Sequence, residues 1–148
     1  FFNIYGPRQR VGPYAGVVAE FVQRLLRNRP PIIYGDGKQS RDFVSVKDAV
    51  NACELSLERK GAIGQTVNIG SGRSTTVNDL AGLLIDLTHR TRIKPIHRPA
   101  REGEVRHSLA DIGLGWKALG YRPTMSLRKG LLEYLEWTAR QPQSRIDR

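Results

Sequence analysis

The segment Ile32-Ile33-Tyr34-Gly35-Asp36-Gly37-Lys38-Gln39-Ser40-Arg41-Asp42-Phe43-Val44-Ser45-Val46-Lys47-Asp48 holds two apolar runs separated by a glycine turn. Ile32 to Tyr34 reads as a short strand and residues 41–46 as a second one, because β-branched and aromatic residues cluster in both while Gly35 and Gly37 break the chain between them. Asp48 stands where a helix cap is needed: its carboxylate can take up the unpaired N–H groups of a first turn, and residues 49–58 carry a helical pattern. Strand, turn, strand and capped helix in this order point to a layered α/β domain. The same segment places a guanidinium, Arg41, at the start of a strand and directly behind the glycine turn. A surface hairpin uses such charges for solubility; an anion-binding loop uses them to hold a phosphate.

The flanking sequence extends the α/β reading. Phe1-Phe2-Asn3-Ile4-Tyr5 is apolar and ends at Gly6-Pro7, the pattern of the tail of a buried strand. Residues 14–28 place Val18, Phe21, Val22, Leu25 and Leu26 on one helical face, and Pro30-Pro31 stops that helix. Thr66-Val67-Asn68-Ile69 reads as a third strand, closed by Gly70-Ser71-Gly72. Thr76 caps a helix whose inner face is Leu80, Leu83, Leu84 and Leu87. Beyond Arg92 the chain is irregular through Pro95 and Pro99; residues 111–119 form a short helix, and Ser126 opens a last one with Leu127, Leu131, Tyr134, Leu135 and Trp137 on its face. Residues 1–140 therefore constitute one domain and residues 141–148 a polar tail.

The 148 residues, 39% of them hydrophobic, suffice for a single core. A chain opening on Phe1 is expected to be trimmed, processed or part of something larger. No stretch approaches the roughly 20 apolar residues of a membrane span, and no charged-then-apolar leader opens it. One cysteine, Cys53, permits no internal disulfide and no CxxC metal pair; its place in a helical apolar pattern predicts a buried structural thiol, and a reducing cytoplasm is the expected compartment. The net charge of +10, from 24 Lys+Arg against 14 Asp+Glu, calls for an anionic partner. The cations are spread along the chain without a block or an aromatic-interleaved ladder, which argues against a dedicated nucleic-acid module.

Two spellings of known motifs fail on context. Tyr34 and Lys38 have the spacing of a Tyr-x-x-x-Lys proton-transfer pair, but that pair needs a helix and two glycines lie between them. Gly113, Gly115 and Ala118 spell the dinucleotide fingerprint, but no hydrophobic strand precedes them. His89, His97 and His107 lie at no metal-ligand spacing. What remains is arginine beside glycine. Arg41 can project from an ordered strand, and Arg101-Glu102-Gly103-Glu104-Val105 offers a second arginine with a carboxylate three residues on. A diphosphate needs forked cationic donors and a ribose diol needs a carboxylate acceptor. Ordinary surface ion pairs use the same residues, and residue types alone favour that plainer reading.

A set of motifs occurring in one order shifts the balance. Phe2-Asn3-Ile4-Tyr5-Gly6-Pro7-Arg8-Gln9, Ile33 through Val44, Val67-Asn68-Ile69-Gly70-Ser71-Gly72, Arg101-Glu102-Gly103-Glu104 and Leu119-Gly120-Tyr121-Arg122-Pro123 together resemble the carboxy-terminal half of the NAD-dependent epimerase/dehydratase family, the extended short-chain dehydrogenases typified by UDP-glucose 4-epimerase. The resemblance implies a small C-terminal α/β substrate domain without the Rossmann half. It implies that Arg41 and Arg101 grip the diphosphate of a nucleotide sugar, with Asp42 orienting Arg41. Glu104 would accept from the nucleotide ribose, where such epimerases more often carry aspartate. Asn3 would face the diphosphate and sugar, and Tyr34 would flank the base.

In that family the glycine-rich nucleotide loop and the catalytic Tyr-x-x-x-Lys helix lie upstream of the matching stretch. No catalytic residue, cofactor-binding residue or metal ligand is therefore assigned here. NAD would be held by the other half of a parent enzyme, and this chain would bind a nucleotide sugar, foremost a UDP-sugar, without turning it over. No nucleic-acid or membrane partner is expected. The strand at 66–69 joins the cofactor domain's sheet in the family, so its edge could support a homodimer or other self-association. A dehydratase or UDP-glucuronate decarboxylase shares these motifs. A stand-alone binding module without chemistry and a basic nucleic-acid-binding domain are the readings from other classes.

Overall fold

A computed structural model describes residues 1–9, 12 and 15–141. The chain runs β1 (Asn3–Tyr5), α1 (Val17–Leu26), β2 (Ile32–Tyr34), β3 (Ser40–Ser45), α2 (Val46–Glu58), β4 (Ser74–Thr76), α3 (Val77–Leu87), β5 (Ile96–Arg98), β6 (His107–Ser108), α4 (Gly113–Leu119) and α5 (Leu127–Ala139). The class is α/β, as the patterning predicts. Tyr14, where the first helix is predicted to start, and residues 142–148, most of the expected polar tail, lie outside the described residues; among the described residues that helix runs from Val17.

β3 organises the main sheet. It pairs in parallel with β1, Asn3 opposite Phe43, and antiparallel with β4, Arg41 opposite Thr75. It also pairs in parallel with β6, Ser40 opposite His107. A separate parallel pair joins β2 and β5, with Ile33 opposite His97. The core lies between this β framework and helices α1, α3 and α5: Val18, Phe21, Val22 and Leu25 meet Tyr5, Phe43, Leu80, Leu84, Leu131 and Tyr134, all buried. The predicted helical faces are the ones that pack, because 3.6-residue periodicity puts those side chains on one stripe. Leu26, Leu83, Leu87, Leu127 and Trp137 sit partly buried at its margin. A smaller cluster of Ala52, Ile69, Leu119 and Tyr121 holds α2 against α4.

Two caps fall where expected. Thr76 accepts from Asp79 N at 3.0 Å to open α3, and Ser126 accepts from Lys129 N at 3.3 Å to open α5. The third does not. Ser45 caps α2, accepting from Lys47 N at 3.2 Å, and the helix begins at Val46. Asp48 lies inside the first turn and is 2% exposed; its carboxylate accepts from Thr124 N and Thr124 Oγ1, both at 2.9 Å, and from Met125 N at 3.1 Å. It ties α2 to the segment leading into α5. The helix starts at Val46, so the residue in the non-helical cap position is Ser45, while Asp48, the third helical residue, is free to serve the Thr124–Met125 backbone.

Residues 66–69 form no strand. One backbone bond, Phe2 N to Ile69 O at 2.9 Å, ties them to the residue before β1, and a single bond makes no ladder. β4, β5 and β6 lie in stretches whose sequence shows no alternation; they are two or three residues long and are strands only because β3 and β2 lie alongside. Cys53 is exposed, contrary to expectation, because α2 buries Ala49 and Ala52 and turns the next position outward. Among the described residues no helix is long and apolar enough to cross a membrane.

Candidate functional site

β3 sends neighbouring side chains to opposite faces, as any strand must. Arg41 emerges into an open cavity of about 350 Å³, whose walls are Asn3 of β1, Ser108 of β6 and the loop residues Arg101, Glu102, Gly103, Glu104 and Val105. The two arginines proposed as diphosphate ligands, far apart in the chain, thus line one recess together with Asn3 and Glu104. Tyr34 is not part of the wall. Its ring lies beneath Arg101, whose guanidinium carbon is 3.9 Å from the ring centroid. The Tyr34 contact, chiefly through side-chain hydrogen bonding, also raises the Arg101 pKa above the ordinary arginine value.

Each group has a visible restraint. Arg41 Nη1 donates to Ser40 O at 2.9 Å and Nη2 to Glu104 Oε1 at 3.3 Å. Asn3 Nδ2 donates to Asp42 O at 3.0 Å, fixing its amide against β3. Gln39 Nε2 donates to Tyr34 O at 2.7 Å, holding the end of β2. The Arg101 turn closes through Glu104 N to Arg101 O at 3.4 Å and depends on Gly103 at φ 73°, a left-handed conformation that suits glycine.

The expected pairing of Asp42 with Arg41 is not what forms. Asp42 is fully buried on the other face of β3, where Oδ1 accepts from Ser71 N and Ser71 Oγ, both at 2.6 Å, and Oδ2 from Gly72 N at 2.9 Å and Ala110 N at 3.3 Å. A carboxylate with several N–H and O–H donors is stable in the interior without a cation. Gly70 must lack a side chain here, since a Cβ would come within 2.7 Å of Asp42 Oδ2. Asp42 therefore fixes the backbone beneath Arg41, and Glu104 meets the guanidinium itself.

The glycine turn before β3 also does something residue types do not reveal. With Gly35 and Gly37 at φ 76° and 73°, Asp36 is presented outward, where Arg106 donates to both its oxygens at 2.7 Å. Those bonds hold the Asp36 carboxyl far below the usual carboxylate range. Ser40 N donates to Arg106 O at 2.9 Å, and Ser40 Oγ meets His107 Nδ1 at 2.9 Å. The loop bearing Glu104 is thereby fastened to both ends of the segment bearing Arg41. A forked Arg–carboxylate pair across seventy residues has no local signature.

The cavity can take an anion through two guanidiniums and can accept from hydroxyls through its carboxylates. Residues 113–118 do not make a dinucleotide cradle: Gly115 faces inward, where a Cβ would meet Asn68 O at 3.1 Å, and the strand before α4, β6, is two residues long and polar, His107–Ser108. Among the described residues no group of three or more His, Cys, Asp or Glu side chains is placed to hold a metal ion.

Residues 1–70 match the model of the NAD dependent epimerase/dehydratase family. The likeness to individual proteins runs further along the chain. A UDP-glucose 4-epimerase from Thermotoga maritima, solved with UDP-glucose, superposes with a TM-score of 0.84 at 42% identity, covering 93% of this chain and 44% of that one. A UDP-glucuronic acid 4-epimerase from Bacillus cereus, solved with UDP-glucuronic acid and NAD, gives a TM-score of 0.85 at 30% identity over 93% of this chain and 43% of that one. A UDP-N-acetyl-alpha-D-glucosaminuronate decarboxylase of Bacillus cytotoxicus is 34% identical in an alignment that covers 93% of this chain and 44% of the relative. The chain thus spans less than half the length of the relatives it matches.

Proposed function

We propose that this chain is the nucleotide-sugar-binding portion of an NAD-dependent sugar-nucleotide epimerase resembling UDP-glucose 4-epimerase, and that residues 1–140 form that binding unit. The observation carrying the proposal is the convergence of Arg41 and Arg101 on one cavity that also contains Asn3 and Glu104. In this reading the two guanidiniums hold the diphosphate, Glu104 accepts from the ribose hydroxyls, Asn3 faces the diphosphate and sugar, and Tyr34 supports Arg101 beside the base. Forked donors on rigid strands and turns suit phosphate oxygens better than flexible ammonium groups do. Similarity to structures bearing UDP-sugars supports the ligand class.

The redox chemistry belongs to the remainder of the parent enzyme, which supplies NAD and the proton-transfer groups, so the chain by itself binds and does not turn over. Because the cavity addresses the nucleotide diphosphate, the same grip would serve an epimerase, a dehydratase or a decarboxylase. Calorimetry with UDP, dTDP and a short DNA duplex tests the reading. UDP binding that is lost in Arg41→Ala and in Arg101→Ala is the expected result. Tight, steeply salt-dependent duplex binding without UDP affinity overturns it in favour of a nucleic-acid role.

A further inference from the structure

The cavity contains its own anion. Its lining sets two guanidiniums, Arg41 and Arg101, against two carboxylates, Glu102 and Glu104, so the recess is formally neutral in a chain of net charge +10. The cancellation is a direct contact for one pair: Arg41 Nη2 lies 3.3 Å from Glu104 Oε1, with 17% and 29% of the two side chains exposed. Water and salt screen such a pair less than one standing free on the surface. Glu104 sits at the end of the Gly103 turn with its side chain reaching solvent, so the carboxylate can leave Arg41 for water.

Resting on the nucleotide-diphosphate reading above, we infer that Glu104 is a resident competitor that makes the site select nucleoside diphosphates over inorganic diphosphate. Its carboxylate holds the Arg41 Nη2 donor that a phosphate oxygen needs, and loading requires that it let go. A ligand carrying a ribose offers Glu104 hydroxyl donors in exchange; inorganic pyrophosphate offers none and must displace the carboxylate without compensation. Glu104 thus raises the threshold for any bare phosphate while leaving nucleotides able to bind.

The test is calorimetry of the whole 148-residue chain with UDP and with pyrophosphate, comparing wild type, Glu104→Gln and Glu58→Gln. Glu58, at the end of α2 and outside the cavity lining, controls for the change in net charge. In Glu104→Gln, pyrophosphate is expected to bind about threefold to fivefold tighter, the scale of a partly exposed ion pair. UDP is expected to gain less, so that the preference for UDP narrows, while Glu58→Gln leaves that preference unchanged. An equal gain for both ligands, or no gain beyond that of Glu58→Gln, overturns the inference while UDP binding by the wild type leaves the functional reading standing. Absence of UDP binding by the wild type overturns both.

Discussion

Arg41 and Asp42 are adjacent in the chain and serve opposite sides of β3. Arg41 opens into the cavity against Glu104, whereas Asp42 is sealed behind the strand among backbone donors from residues 71, 72 and 110. One residue faces the cavity and the other holds the strand that carries it.

Asp42→Ala is therefore expected to damage stability more than any single arginine change in the cavity. It leaves the buried Ala110 N–H and the half-buried Ser71 donors without their acceptor, which costs about 1–3 kcal/mol. Urea unfolding followed by circular dichroism checks the figure. A loss below about 1 kcal/mol would show that water replaces the carboxylate without penalty.

Gly130 lies in α5 against the Tyr5 ring, and a Cβ there would overlap the Tyr5 hydroxyl and come within 3.1 Å of Met125 Cγ. Tyr5 is 2% exposed and has nowhere to retreat. Gly130→Ala is expected to destabilise the fold by about 1–3 kcal/mol, outweighing the helix-propensity gain of roughly 1 kcal/mol. Removing the hydroxyl with Tyr5→Phe should recover part of the loss, and a double-mutant cycle measures that coupling.

Acid should release the Asp36–Arg106 clamp in a definite direction. Asp36 is held below its ordinary pKa first by hydrogen bonding from Arg106 and then by the Lys38 N–H. A carboxylate with a depressed folded pKa contributes stability that is fully present above its unfolded pKa and disappears as pH falls through the folded one. Wild type should be more thermostable than Asp36→Asn at neutral pH, and the gap should close at pH values below the normal carboxylate range. A gap independent of pH would show that the ion pair contributes nothing.

Cys53 is on the surface of α2. It should react with a thiol reagent in the native protein at the rate seen in denaturant, within a few-fold, and the modified protein should keep its thermal midpoint. Protection of the native thiol would restore the buried reading drawn from the sequence.

The helical faces were legible because their signal is local. Val18, Phe21, Val22 and Leu25 repeat at helical spacing, and Thr76 and Ser126 stand directly before the turns they cap. The short strands β4, β5 and β6 were not, since a two- or three-residue strand is defined by its neighbour. Residues 66–69 erred the other way, having strand composition but no ladder. Asp48 has the composition of a cap, but Ser45 takes the role because the chain enters the helix three residues earlier. Among the site residues, Arg41, Arg101, Asn3 and Glu104 line one cavity, while Tyr34 stands behind Arg101.

The sequence by itself determined the α/β class, the inward faces of α1, α3 and α5, and the supply of forked cations beside flexible turns, because periodicity and turn chemistry act over a few residues. The tertiary structure alone decided that Asp42 faces the interior, that Asp36 clamps Arg106 and that Glu104 occupies Arg41. Those pairings span between 29 and 70 residues of chain, and a carboxylate chooses its partner by distance and burial in space, which no local pattern encodes.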